Sequence, residues 1–230
     1  MSCILHIETS TEACSVAVSQ DGATIFNVEE LSGPNHARKL SGFVEQALSF
    51  TDNHAIPFDA VAVSSGPGSY TGLRIGVSTA KGVAFGRDLK LISVPTLQLM
   101  CVPLLLGTRE LEDDALLCPM IDARRMEVYT ALYTRGLKAE MDVQPVVIDA
   151  HFLELQLAEH PVYFFGNGAE KCKAVISHPN AHFIDGVKPL AKHMCPLAEM
   201  RNARGEWEDV AYFEPFYLKE FVAGKSKGIL

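Results

Sequence analysis

The chain has 230 residues, of which 48% are hydrophobic and 21% charged, and its formal net charge is −8. Because this length exceeds the ~100–150 residues of a typical domain, we expect two lobes, and the composition excludes a disordered chain or a collagen-like repeat. Phosphate binding depends on Lys and Arg, so the acidic balance disfavours a protein that grips nucleic acid alone. Any role on RNA would need a basic partner.

The chain has six cysteines without a C-x-x-C pair: Cys3, Cys14, Cys101, Cys118, Cys172 and Cys195. Most of them lie in apolar runs. Cysteine in such runs behaves as a small hydrophobe, which is typical of a reducing cytosol. The first residues lack a basic segment followed by a long apolar one, and no window approaches the ~18 apolar residues of a membrane span. We therefore expect a cytoplasmic protein with no membrane association.

The first half begins with three predicted antiparallel strands at residues 3–8, 14–19 and 23–29. Apolar residues between 37 and 48 then follow the i, i+3, i+4, i+7 spacing of one helical face. A buried strand at 60–64, a glycine-rich loop, a helix at about 71–85 and a strand at 89–94 complete the half. The predicted order is β-β-β-α-β-α-β.

The second half repeats this order, with predicted strands at 115–122, 127–134, 145–148, 162–165 and 181–185, and predicted helices at 150–159, 169–176 and 189–203. Chance similarity of element order is the alternative explanation. A duplication predicts two α/β lobes, each a mixed sheet with helices on its faces, on either side of a cleft. We place the lobes at residues 1–100 and 101–230.

The sequence GPGSYTGLRIG, residues 66–76, follows a predicted strand and opens a helix. Gly66 and Gly68 permit a sharp turn, and the first helical amides are suited to an anion. A phosphate-binding loop of the G-x-x-x-x-G-K-[ST] type requires a lysine, but Gly72 is followed by Leu73 and Arg74. That nucleotide motif is therefore absent.

Within the same helix, Gly72, Gly76 and Ala80 recur every four residues and form a strip without side-chain bulk. Such a strip permits close approach of another helix, from this chain or from a partner. We favour this packing role over a catalytic one, and expect Gly76→Leu to weaken pairing while leaving the fold intact.

The tetrapeptide Glu8-Thr9-Ser10-Thr11 places a carboxylate and three hydroxyl groups at the tip of the first hairpin. In a nucleotide-cleft enzyme this tip would contact phosphate or a metal-bound water. In a protein without that activity, the hydroxyl groups satisfy the amides of the turn. The tetrapeptide does not discriminate between these hypotheses.

No catalytic or metal-ligating set is evident. His178 and His182 have the i, i+4 spacing of a zinc pair, but Pro179 and Asn180 between them oppose a helix. The other histidines considered as ligands lack a close partner: His36 and His54. Ser69 is not the serine of a G-x-S-x-G elbow, because Thr71 occupies the position of the second glycine. We therefore predict no metal and no nucleophile.

Residues 122–129, DARRMEVY, place four charges at the first hairpin of the second half. Such residues typically form a solvated turn with internal salt bridges, which is the interpretation we favour. Contact with an acidic partner or with RNA is the alternative.

Several segments, taken in order from residue 4 to about 220, closely resemble the TsaB (YeaZ) family of bacteria: ILHIETSTEACSVAV, GPGSYTGLRIGVSTAKGVAFG, SVPTLQLM, IDARRMEVYTALY and FEPFYLKE. The most specific are GPGSYTGLRIG and DARRMEVY. The resemblance implies the two-lobed, actin-like and Hsp70-like fold of the ribonuclease H-like class. It also implies a non-catalytic subunit without cofactor that helps to form threonylcarbamoyladenosine at position 37 of tRNAs reading codons that begin with A.

The resemblance further implies the partners. The paralogue TsaD transfers the threonylcarbamoyl group, the small ATPase TsaE joins the pair, tRNA is met only through the complex, and family members self-associate through helices of the first lobe. On this basis we assign a partner interface to residues on the two first-lobe helices: Leu40, Phe43, Gly72, Ile75, Gly76, Thr79 and Ala80.

The chain lacks the residues with which TsaD would hold a metal ion and accommodate phosphate. TsaD carries an H-x-E-G-H metal pair on the first-lobe helix and a glycine-rich S-G-G-H-T hairpin, whereas this chain has SGPNHARKLSGFVEQAL, with His36 alone, and IDARRMEVYTAL, without glycine. The remaining cleft loops are interpreted as vestigial: Glu8, Thr9, Ser10, Thr11, Gly66, Gly68 and Ser69. A stand-alone nucleotide-cleft enzyme and a glycoprotease-like metallopeptidase are the competing hypotheses.

Overall fold

A computed structural model of the chain describes residues 2–33 and 36–219. Its first five strands form one mixed sheet in the order β3-β2-β1-β4-β5. The strands are β1 (Cys3–Glu8), β2 (Cys14–Gln20), β3 (Ala23–Glu30), β4 (Ala60–Gly66) and β5 (Lys90–Pro95). β1, β2 and β3 pair antiparallel, while β1, β4 and β5 pair parallel.

The second sheet repeats this arrangement in the order β10-β9-β6-β7-β8. Its strands are β6 (Leu116–Asp122), β7 (Glu127–Thr134), β8 (Ala139–Val147), β9 (Val162–Phe165) and β10 (Ala181–Ile184). Again three strands pair antiparallel and three pair parallel, and β6 is the counterpart of β1. The predicted duplicated α/β fold is confirmed.

The central strands are buried on both faces, which explains their continuous apolar sequences. Every residue of β1 is buried, whereas the edge strand β3 is half exposed. A strand covered by helices on both sides must be apolar at successive positions and loses the alternation of a half-exposed strand. Helices are therefore required on both faces of the central strands.

In the part of the chain that the structure describes, five α-helices cover the sheets: α1 (His36–Asn53), α2 (Tyr70–Arg87), α3 (Thr96–Leu105), α4 (Glu154–Glu159) and α5 (Cys195–Ala203). α1 and α2 pack on the outer face of the first sheet, with Leu40 and Val77 in that core. α3 lies between the sheets, because Leu97 packs with the second sheet and Leu99 with the first. α4 covers the outer face of the second sheet through Leu157.

The last helix returns to the first lobe. Leu197 and Ala198 of α5 pack with Ile4 of β1 and Ile92 of β5. The predicted division after residue 100 falls inside α3, and the chain crosses between the lobes again at α5. The division into residues 1–100 and 101–230 stays a prediction.

The second-half helices are shorter than predicted. The helix predicted at 169–176 is only a 3-10 helix (Glu170–Cys172), which continues into a turn. A positive φ at Leu153 delays the start of α4, and a second 3-10 helix (Ala191–His193) precedes α5, which begins just before Pro196. Cys172 and Ile176 are still buried against the second sheet, so the short turn replaces the helix in packing.

The segment after α5 joins the two lobes along one side. The Glu208 amide donates to the carbonyl of Leu91 at the edge of the first sheet (2.8 Å), and the Phe216 amide donates to the carbonyl of Ser65 (2.7 Å). Lys219 then forms an ion pair with Glu127 of the second lobe. The described C-terminal segment thus closes one side of the space between the lobes. None of the described helices is both long and apolar enough to cross a membrane.

Candidate functional site

A cleft of about 840 Å³ separates the lobes. The first lobe lines it with the tip after β1, the start of α1 and the loop before α2, including Ser10, His36 and Ser69. The second lobe contributes the β6–β7 turn with Arg124, and the C-terminal segment contributes Tyr217. Most of the predicted cleft loops therefore converge on one space.

The glycines of the loop before α2 are used for contact with the tip after β1. A Cβ atom on Gly68 would overlap the carbonyl oxygen of Ser10, and one on Gly72 would overlap the carbonyl oxygen of Thr9. The Ser69 amide donates to the Ser10 carbonyl at 2.7 Å. Glycine is required here because two backbones touch. The loop faces its own chain where a phosphate cradle would face an anion.

The start of α2 is satisfied internally. Ser69 is the N-cap residue, and its hydroxyl oxygen accepts a hydrogen bond from the Gly72 amide at 3.2 Å. The Thr9 hydroxyl donates to the Gly72 carbonyl at 2.8 Å. Serine at an N-cap commonly replaces the missing partner of a helical amide. With no lysine beside it, this helix start does not fit a nucleotide phosphate.

Glu8 ends β1, two residues before the cleft-lining Ser10, and is fully buried. Its Oε1 accepts hydrogen bonds from the amide and the hydroxyl of Ser10, both at 2.5 Å. Its Oε2 has no partner of standard geometry among the described residues. Burial raises the pKa of Glu8, and the hydrogen bonds from Ser10 oppose that rise. The carboxyl group thus stabilises the turn, and its burial favours the neutral form.

The histidines considered as metal ligands have other roles. Buried His36 contacts the Ala13 carbonyl through Nε2 at 3.1 Å, which fixes the start of α1 to the first hairpin. His182 lies in β10 and stacks on Tyr163, and His178 accepts a hydrogen bond from the amide of Asn180. Within residues 2–33 and 36–219, no three His, Cys, Asp or Glu side chains are grouped for a metal ion.

The small-residue strip of α2 faces the interior of its own lobe, which corrects its assignment to a partner interface. Gly72, Gly76 and Ala80 are buried, and a Cβ atom on Gly76 would overlap the Thr9 hydroxyl oxygen. Spacing alone does not distinguish the inner from the outer face of a helix. The expectation that Gly76→Leu leaves the fold intact is withdrawn for the same reason.

The other assigned interface residues differ in exposure. Leu40 is buried in the first core, whereas Phe43, Ile75 and Thr79 are partly exposed. A groove of about 430 Å³ runs between α1 and α2, and Thr79 lines it. An Arg87–Asp52 ion pair of 2.8 Å joins the helices at its end.

The outer face of α2 is a candidate surface that was not among the predicted site residues. Ser78, Gly82 and Gly86 are exposed at the same four-residue spacing, and nothing lies within 4 Å of a Cβ atom built on either glycine. Phe85 beside them is 85% exposed. The sequence signal was a second small-residue strip, displaced by two positions from the first.

The β6–β7 turn departs from the expected salt-bridged turn. Asp122 pairs with Lys171, and Glu127 pairs with Lys219. Arg124 and Arg125, by contrast, form no ion pair with any described residue. Both have positive φ, 73° and 50°, which is unusual for residues other than glycine. The two carboxylates of the turn are thus paired with lysines from other parts of the chain, and both arginine side chains are exposed to solvent.

The comparisons with known proteins agree with this architecture. A family model described as "TsaD: tRNA N6-adenosine threonylcarbamoyltransferase" matches residues 28–223. The tRNA threonylcarbamoyladenosine biosynthesis protein TsaB of Escherichia coli K12 is 32% identical over 231 residues, covering 96% of each chain. A Pseudomonas aeruginosa structure described as similar to peptidase YEAZ superposes with a TM-score of 0.81 at 26% identity, covering 95% of this chain and 100% of that one.

A tRNA N6-adenosine threonylcarbamoyltransferase of Geobacter sp. M21 is 34% identical over 107 residues, which is 40% of this chain and 31% of the transferase. This pairwise match to one transferase covers less than half of the chain, whereas the match to TsaB extends over nearly the whole chain. The resemblance seen in the sequence is confirmed. The chain belongs to the TsaB (YeaZ) family, which is related in sequence to the TsaD threonylcarbamoyltransferases.

Proposed function

We propose that this chain is a non-catalytic subunit that pairs with a TsaD-like paralogue, joined by a TsaE-like ATPase, in the cytosol. The complex forms threonylcarbamoyladenosine at position 37 of tRNAs that read codons beginning with A. In this proposal the chain needs no cofactor, and it forms a homodimer when the paralogue is missing. The observation that carries the proposal is the internal use of the cleft loops.

Four contacts support a structural role for those loops. Gly68 contacts the backbone of Ser10, and Gly72 contacts the backbone of Thr9. The hydroxyl of Ser69 caps its own helix, and the carboxyl group of Glu8 is hydrogen-bonded within its own turn. A catalytic cleft keeps such donors and acceptors directed at a substrate.

The outer face of α2 supports pairing through the first lobe. Ser78, Gly82 and Gly86 leave the helix backbone accessible, and exposed Phe85 stands beside them. Small residues permit close approach of a partner helix, and an exposed aromatic side chain is the kind of residue that anchors an interface. We propose that the paralogue and a second copy of the chain compete for this face.

We expect Phe85→Asp to weaken pairing with the TsaD-like paralogue by tenfold or more, because a charge would replace an apolar anchor. The fold should be unaffected, since the side chain is exposed. Affinity is measured by calorimetry with the purified paralogue, and the modified base is quantified in cells that carry the variant.

Leu155→Asp is the matched control, because Leu155 is 80% exposed on the second lobe. It should pair normally. Equal affinity for the two variants and the unmodified chain would exclude the outer face of α2 from the interface. Full modification of tRNA in cells that lack the chain would contradict the proposed function itself.

We expect the isolated chain to bind ATP with magnesium only weakly, with a dissociation constant well above micromolar. The loop before α2 has no lysine, and its glycines face Ser10 and Thr9. Calorimetry with ATP and magnesium tests this. Submicromolar binding would favour a nucleotide-cleft enzyme instead.

A further inference from the structure

More than half of the lysines and arginines in the described part of the chain form ion pairs with a carboxylate. The exceptions are not scattered evenly. Five cations without an ion pair in the described part line the cleft or lie within two positions along the chain of a residue that does: Arg38, Lys39, Arg74, Arg124 and Arg125. They belong to a protein whose net charge is −8.

These cations stand on both sides of the cleft opening. Arg38 and Lys39 follow the cleft-lining start of α1, and Arg74 lies in the first turns of α2, over the ring of Tyr70. Arg124, from the second lobe, lines the cleft itself. All five are exposed.

The acidic groups of the cleft are neutralised within the protein. Glu12 pairs with Lys188, Asp122 pairs with Lys171, and burial raises the pKa of Glu8. Exposed Glu214 remains close to Tyr217, and it offsets only part of the five positive charges at the opening. A local positive potential results, although the chain as a whole is acidic.

The β6–β7 turn keeps its arginines at an energetic disadvantage. Arg124 and Arg125 have φ of 73° and 50°, a region that glycine and asparagine occupy more easily. Positive φ also occurs at Ala55, Leu137 and Leu153, so it does not by itself mark a site, but such strain is often concentrated where a side chain serves a function. Asparagine and glycine would suit the backbone of this turn better, but they would remove both charges.

We propose that the cleft opening binds the phosphates of an RNA strand, with Arg124 and Arg125 as its second-lobe contacts. A free nucleotide fits this site less well than an RNA strand. The cations lie at the rim of the cleft, and the loop before α2 packs against Ser10 and Thr9 through Gly68 and Gly72, so it offers no phosphate cradle. A strand that crosses the opening contacts both lobes. The inference rests on the proposed function, since it requires the complex with the paralogue for affinity and specificity.

The test uses the purified complex of this chain with its TsaD-like paralogue and a labelled tRNA anticodon stem–loop as probe. Charge reversal at the turn, Arg124→Glu with Arg125→Glu, should weaken RNA binding by tenfold or more. The slope of log affinity against log salt should fall by about one for each arginine that contacts a phosphate. Arg109→Glu with Lys138→Glu, which reverses two exposed charges elsewhere on the second lobe, should leave RNA binding unchanged.

A second variant separates binding from folding. Arg124→Asn with Arg125→Gly should raise the melting temperature by about 2–4 °C, because it relieves the positive φ, while it weakens RNA binding. Unchanged RNA affinity in both turn variants would overturn the inference. So would equal loss of ATP binding in these variants with displacement of the RNA by ATP, which would assign the site to a free nucleotide.

Formation of the complex is measured separately for every variant. If the unmodified chain does not pair with the paralogue, the proposed function fails before RNA is added. If the turn variants lose the paralogue and not the RNA, the arginines face an acidic protein surface and the inference is overturned. Normal pairing with weakened RNA binding supports it.

Discussion

We expect Gly76→Ala to lower the free energy of unfolding by about 2–4 kcal/mol, although it adds a single methyl group to a helix. The added Cβ atom would overlap the buried Thr9 hydroxyl oxygen, which donates its hydrogen bond to the Gly72 carbonyl. Either this hydrogen bond breaks or α2 moves away from the first sheet. Urea denaturation of the purified chain measures the loss.

Gly82→Ala is the control on the same helix. Nothing lies within 4 Å of its added Cβ atom, so the variant should gain up to about 1 kcal/mol from helix propensity. The two substitutions are thus expected to have opposite signs. A Gly76→Ala chain as stable as Gly82→Ala would contradict the close contact between α2 and the tip after β1.

Thr9→Ala tests whether the Thr9 hydroxyl group causes the loss of stability in Gly76→Ala. Removing the hydroxyl by itself costs the hydrogen bond to Gly72, but it also opens space for a Cβ atom at position 76. The double variant Thr9→Ala, Gly76→Ala should therefore be more stable than the sum of the single losses predicts. Such coupling is typical of residues in direct contact.

The second large effect is a loss of folding stability at acidic pH. His6 is fully buried in β1, and burial lowers its pKa from 6.5 to about 3. Below pH 6.5 the unfolded chain binds a proton that the folded chain does not, so stability falls as the pH falls. From pH 7 to about pH 5 the loss is about 2 kcal/mol for this one group.

His6→Gln should remove that part of the pH dependence while keeping a polar group near the Ser19 hydroxyl, which contacts Nε2 at 2.7 Å. Burial also lowers the pKa of His193, which adds to the loss in acid. It raises the pKa of Glu8, which acts in the opposite direction, because the folded chain then holds the extra proton. The free energy of unfolding is compared at both pH values.

His151→Gln is the control, because the side chain of His151 is 80% exposed. This variant should still lose in acid the stability that the buried His6 costs. A His6→Gln chain that loses as much stability in acid as the unmodified chain would show that His6 is accessible to protons in the folded state.

The spacing of apolar residues predicted the strands of both halves and the helices of the first half closely. α2 was expected at about 71–85 and spans Tyr70–Arg87. The second-half helices were predicted less well, because their sequences are short and interrupted near Leu153, Pro179 and Pro196. Local periodicity does not report where a proline or a positive φ ends a helix.

The sequence by itself determined the duplicated fold and the family, because apolar periodicity and the GPGSYTGLRIG and DARRMEVY segments are local properties. Only the tertiary structure decided which face of α2 is free. Gly76 and Gly82 are equivalent in sequence, but one touches Thr9 and the other touches nothing within 4 Å. Pairing of charges was decided in the same way, since the carboxylates beside Arg124 and Arg125 take Lys171 and Lys219 from distant parts of the chain. Contacts between distant residues leave no trace in local spacing, and these contacts determine which groups remain available to a partner.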